Sequence, residues 1–210
     1  MTHSTRTTLI DPLFTVFFGD SITEATPGVG HAGLTTWLSR GRLLYRYPHS
    51  GSGVSGDTTS QMLARVQADV IEKNSDLVIF CGGSNDAAGL ATLATFRGNV
   101  TAICETIRAA GIGLVVLSAP PRIAQTARIT RYNAWLSRYC RANVIPFVDI
   151  YSPLADTTTG EYETSLTTDG VHPNGKGVRI VSEAIRNALA RALRRSLRCW
   201  RGPRPRAATS

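Results

Sequence analysis

The chain has 210 residues, of which 42% are hydrophobic and 18% charged. That length supports one domain with a proper core, and the balance excludes a disordered polymer. Seven arginines and no acids lie from Arg191 onward, so the formal charge of +8 leaves only +1 on the rest, which excludes a body-wide basic face for nucleic acid.

The composition divides the chain into an N-terminal extension (1–14), one domain (15–197) and a basic tail (198–210). Thr15–Phe18 reads as the first strand and Leu43–Tyr47 as a weaker second one. Asp57–Lys73 reads as a helix, because Met62, Val66 and Val70 recur at helical spacing and Asp57 or Thr58 suits its start. Leu77–Cys81 is a continuous apolar run of the kind a buried parallel strand needs. A helix over Leu93–Ala110 ends at Gly111, and Leu114–Leu117 is the next strand. Thr130–Arg141 is helical, with Tyr132, Trp135, Leu136 and Tyr139 on one side. Val144–Ile150 is the last strand, and Pro146 marks it as an edge or bulged one. Gly177–Leu197 closes the domain as a helix with Pro173 near its first turn. Strands alternating with helices imply an α/β fold: a five-stranded parallel sheet inside a three-layer α/β/α sandwich.

Cys81, Cys104, Cys140 and Cys199 are widely spaced, with no Cys-x-x-Cys pair, so neither a metal knuckle nor a redox pair is expected. No apolar run approaches the ~20 residues that span a bilayer. The polar N-terminus lacks a signal-peptide core, so a cytoplasmic location is expected, with export by another route left open. The arginine-rich tail is expected to be solvated, contact with nucleic acid or anionic lipid being the lesser reading.

The chemistry-bearing segments begin with Gly19-Asp20-Ser21-Ile22-Thr23, just after the first strand. Open α/β sheets place ligands at that end of their strands. A serine hydroxyl needs an adjacent base to act as a nucleophile. Of the four histidines, His3 lies in a terminus, and His31 and His49 have no carboxylate near them in sequence. His172 lies in Asp169-Gly170-Val171-His172-Pro173, where the carboxylate and the imidazole share one loop. Asp169 on Nδ1 would leave Nε2 to take a serine proton. Acyl transfer also needs donors aimed at a developing oxyanion. Ser21 N–H, the backbone at Gly53 and the side-chain amide of Asn85 are the candidates. Each segment alone also has a structural reading: a helix cap for Asp169, tight turns for the glycines and for Asn85.

Two other patterns fail. Gly51-x-Gly53-x-x-Gly56 has dinucleotide-binding spacing, but the next strand ends in Cys81-Gly82-Gly83 rather than an acid. Gly170-x-x-x-x-Gly175-Lys176 lacks the Ser or Thr of a phosphate loop, since Gly177 follows. The Gly-x-Ser-x-Gly elbow of α/β-hydrolases is absent.

With these segments in order, the chain resembles the SGNH (GDSL) hydrolase family of serine esterases and lipases over roughly Thr15–Leu193. The resemblance implies a flavodoxin-like fold, a Ser21–His172–Asp169 triad, an oxyanion hole from Ser21, Gly53 and Asn85, and no cofactor or metal. Asp20 is then structural. One departure is Gly51, where the family often has asparagine, which is expected to loosen the loop at Gly53. The resemblance implies a small-molecule or saccharide ester as substrate. With no long apolar lid segment, and with His31 and Trp37 among polar loop residues, a small acyl group such as acetyl on a saccharide is favoured. A lysophospholipase- or thioesterase-like lipolytic enzyme is the alternative, and a glycan-binding module without turnover the third reading.

Overall fold

The computed structural model describes residues 14–24 and 49–196, with side chains to residue 188. Five strands form one parallel sheet: β1 (Thr15–Gly19), β2 (His49–Gly53), β3 (Leu77–Cys81), β4 (Gly113–Leu117) and β5 (Phe147–Val148), in the order β2-β1-β3-β4-β5. Among the described residues, four α-helices accompany them: α1 (Thr59–Val66), α2 (Leu93–Ala109), α3 (Thr126–Ala142) and α4 (Gly175–Ser196). This is the expected three-layer α/β/α sandwich of flavodoxin-like order.

The sheet residues alternate between two cores, as a strand's two-residue period dictates. Val16, Phe18, Val78, Phe80, Leu114 and Val116 face α1, α2 and α3, meeting Met62, Val66, Phe96, Ile103, Ile129 and Leu136. Phe17, Ile79, Cys81, Val115 and Leu117 point the other way, onto Ile150, Leu154 and the α4 residues Val181 and Ile185. Cys81, Cys104 and Cys140 are buried thiols, and burial pushes those of Cys104 and Cys140 up to about 12. They are packing residues.

Several elements depart from the sequence expectation. Leu43–Tyr47 lies outside the described residues. A strand pairing with β1 is formed by His49–Gly53, a Ser-Gly stretch read from sequence as loop. Gly51 therefore sits within a strand, opposite Phe17. The helix expected over Asp57–Lys73 is α-helical only to Val66, then widens into a π-helical turn over Gln67–Ile71. Thr58 begins it, and Gln61 Oε1 reaches back to accept the Thr58 N–H at 2.8 Å. The strand expected over Val144–Ile150 shrinks to two paired residues. Val144 takes φ +55 and is exposed, and Pro146 lacks an N–H, offering only its carbonyl to Val116 N at 2.9 Å. α4 starts at Gly175, because Asn174 Oδ1 caps it by accepting from Lys176 N (2.9 Å) and Gly177 N (3.2 Å). Pro173 thus lies ahead of the cap rather than in the first turn.

Candidate active site

Register decides where the site forms. Gly19 pairs with both Gly53 and Cys81, and Cys81 with Leu117, so four strands end level with one another. The segments that follow them emerge along one carboxyl edge of the sheet. These are Asp20–Glu24, Val54–Thr58, Gly82–Asp86 and Ser118–Arg122.

Asp20 builds the turn that carries Ser21. Its backbone carbonyl accepts from Thr23 N (2.9 Å) and Glu24 N (3.0 Å), and its Oδ1 from Ile22 N (3.0 Å). Asp20 is buried, and that burial pushes its carboxyl up to about 6 against the pull of the Ile22 bond and of His172. Gly53 packs against this turn. A Cβ there would lie 2.3 Å from Glu24 N and 2.8 Å from Asp20 O, so only glycine lets the two strand ends approach.

The loop before α4 supplies the other groups. Ser21 Oγ lies 2.8 Å from His172 Nε2, across 151 residues of chain, and His172 Nδ1 lies 2.7 Å from Asp169 Oδ2. The other carboxylate oxygen, Oδ1, accepts from Val171 N (2.9 Å) and His172 N (2.8 Å). Partial burial works to raise the Asp169 pKa. The bonds from the His172 ring and from these two N–H groups outweigh it and hold the carboxyl well below the usual range. Thr167 shapes the loop, its hydroxyl donating to His172 O (2.7 Å) and accepting from Gly170 N (2.9 Å). Gly170 takes φ +74, and its carbonyl accepts from Ile123 N at 2.9 Å, which ties this loop to the segment after β4.

Asn85 follows β3. Its amide Nδ2 donates to Asp57 O at 2.9 Å, leaving the second N–H of the amide for another acceptor. Arg122 Nη1 approaches Asn85 Oδ1 and Ser84 Oγ at 3.4 Å each. The neighbouring Asp86 is fully buried and accepts from Thr59 N (2.9 Å) and Thr59 Oγ1 (2.5 Å) at the start of α1, where a carboxylate suits the helix dipole. Burial raises its pKa against those bonds.

The structure therefore brings Ser21, Asp169 and His172 together in one hydrogen-bonded relay, with Gly53 and Asn85 on the same sheet edge. His49 stands elsewhere, opposite Thr15 at the amino end of β1, its ring edge-on to Phe17. His31 and Trp37 lie outside the described residues. Sequence reasoning missed Arg65, Asp57 as its partner, Asp86 and Arg122. No spacing rule points to them, since their partners come from distant segments. Among the described residues, no three His, Cys, Asp or Glu side chains cluster as metal ligands, and no helix is long and apolar enough to cross a membrane.

Solved structures share this fold. A Bacteroides fragilis protein classed as an acylhydrolase superposes with a TM-score of 0.74 at 28% identity, covering 89% of this chain and 92% of its own. A GDSL-like lipase of Bacteroides thetaiotaomicron gives 0.73 at 29% identity, covering 85% and 88%. An acetylxylan esterase of Geobacillus stearothermophilus gives 0.73 at 18% identity, covering 86% and 95%, a likeness of fold alone. No curated protein matches by sequence. Residues 17–180 match the family model of the GDSL-like lipase/acylhydrolases, a span that takes in the Ser21 turn, the Gly53 and Asn85 segments and the Asp169–His172 loop. The chain belongs to the GDSL-like lipase/acylhydrolase family.

Proposed function

We propose that the protein is a serine ester hydrolase working through an acyl-enzyme. The observation that carries this reading is the continuous relay from Ser21 Oγ to His172 Nε2 (2.8 Å) and from His172 Nδ1 to Asp169 Oδ2 (2.7 Å). With the imidazole proton on Nδ1 and donated to Asp169, Nε2 accepts the serine proton as Ser21 Oγ attacks the ester carbonyl. Asp169 stays ionised and stabilises the imidazolium. The tetrahedral oxyanion is held by the N–H groups of Ser21 and Gly53 and by the second N–H of Asn85. The imidazolium returns its proton to the leaving alkoxide, and the alcohol departs. Water, deprotonated by His172, then releases the acid and restores the serine.

The substrate reading is a small acyl group, acetyl before all, on a polar alcohol such as a saccharide. The polar loops of the site favour it, and a fold shared with an acetylxylan esterase accords with it. Ser21→Ala is expected to abolish p-nitrophenyl acetate hydrolysis and labelling by a fluorophosphonate probe. Retention of the wild-type rate would sink the mechanism, and an unreactive wild-type serine would favour a binding module. A kcat/KM series from acetate to laurate esters is expected to fall with acyl length. A rise toward laurate would move the assignment to lipolytic chemistry.

A further inference from the structure

Arg65, on α1, reaches to the carboxyl edge of the sheet and lies mostly buried there, its side chain 18% exposed. Its guanidinium stacks over the Phe18 ring, 4.6 Å from the centroid. Nη2 donates to Gly19 O at 2.7 Å, the carbonyl two residues before Ser21. Nη1 donates to Ser52 O at 3.0 Å, in the peptide bond that bears the Gly53 N–H, and to Asp69 Oδ2 at 2.5 Å. Nε donates to Asp57 Oδ2 at 2.7 Å. The same Asp57 offers its backbone carbonyl to Asn85 Nδ2 at 2.9 Å. One planar cation thus ties together the supports of Ser21, Gly53 and Asn85, three groups that come from three separate strands.

We propose that Arg65 is the positioning residue of the oxyanion cradle, fixing all three donors relative to one another without touching the substrate. This rests on the reading of the protein as a serine ester hydrolase. The geometry demands a guanidinium. Four N–H groups on three coplanar nitrogens meet two strand-end carbonyls and two carboxylates, and the flat face lies on an aromatic ring. A lysine ammonium is a point charge that cannot span those acceptors. The donors act only when held at the position the oxyanion will occupy, and a shift of about 1 Å costs on the order of 10²-fold in rate.

The test is a double-mutant cycle on kcat, using p-nitrophenyl acetate and the full chain. Arg65→Lys in the wild-type background is expected to lower kcat by about 10- to 100-fold with KM nearly unchanged. In an Asn85→Ala background, whose cradle is already broken, the same change is expected to cost less than about 3-fold. Equal fold losses in both backgrounds, or a lowered Tm with kcat retained, would overturn the proposal and leave Arg65 a structural tie. If Arg65→Lys does not fold by circular dichroism, Asp57→Asn is taken through the same cycle. That variant keeps the carbonyl on Asn85 and weakens only the ion pair with Arg65, and the same two outcomes decide. A wild-type protein that neither hydrolyses the ester nor reacts with a fluorophosphonate would overturn the hydrolase reading itself, and the positioning role with it.

Discussion

Two aspartates near Ser21 experience opposite environments, and stability should report both. Asp20 is buried, its Oδ2 has no hydrogen-bond partner among the described residues, and its carboxyl is raised from 3.8 to about 6. A raised carboxyl binds its proton more tightly in the fold than in the unfolded chain. Its contribution is therefore most favourable below 3.8 and is lost as pH climbs through about 6. Two pKa units correspond to on the order of 3 kcal/mol. Asp20→Asn keeps an acceptor for Ile22 N–H and removes the charge. It is expected to raise Tm at pH 8, with the gain shrinking toward pH 4. A pH-independent difference in thermal melts would contradict this. Asp169 has the reverse sign. Its lowered carboxyl contributes stability above 3.8 that is withdrawn as pH falls through the folded-state value.

At the scale of elements, the Asp169–His172 loop is held from both sides. Thr167 closes it on one flank, and α4, with its Asn174 cap, begins on the other. Asn174→Ala removes the acceptor for two orphan N–H groups and is expected to cost about 1 kcal/mol, read as a drop in Tm. Because Asn174 Nδ2 also donates to Ser165 O (2.9 Å), the loss should exceed that of a bare cap. The elements differ in how plainly their residues announce them. β1, β3 and β4 are continuous apolar runs buried on both faces, and such runs read as strands without tertiary help. β2 does not, since Ser and Gly carry no strand preference. It is extended because β1 pairs with it over five residues and Arg65 holds its end. The two-residue β5 and the π-turn after Val66 were equally hidden, one set by Pro146 and the other by a local change of hydrogen-bond register. The relay residues and the other two oxyanion candidates, Gly53 and Asn85, were legible because each stands in a short contiguous motif after a strand or before a helix. Arg65 was not, because in sequence it is one more arginine on a helix. Its partners at Gly19, Ser52, Asp57 and Asp69 become visible only when the sheet edge is assembled.

The whole molecule divides its apolar interior unequally across the sheet. The larger core joins α1, α2 and α3, and the smaller one rests on α4 and the segment around Ile150 and Leu154. Ser21 and Asn85 follow strands packed on both faces, whereas His172 and Asp169 lie in the loop that leads into α4. Ile185, fully buried in the smaller core, is the side chain whose loss tests this. Ile185→Ala is expected to cost roughly 2–5 kcal/mol. Esterase activity should then disappear at a lower temperature than the far-ultraviolet circular dichroism of the sheet. Coincident loss of both signals would show that the two cores melt as one.

The 151 residues between Ser21 and His172 also carry a meaning in time. Synthesis delivers Ser21 early and His172 late, whatever the speed of elongation. The Asp169–His172 pair is assembled by bonds within its own loop, so it needs only to arrive and dock. Until then, Ser21 lacks the imidazole that the proposed mechanism needs. On the proposed mechanism, competence to attack an ester comes only once His172 has docked beside Ser21.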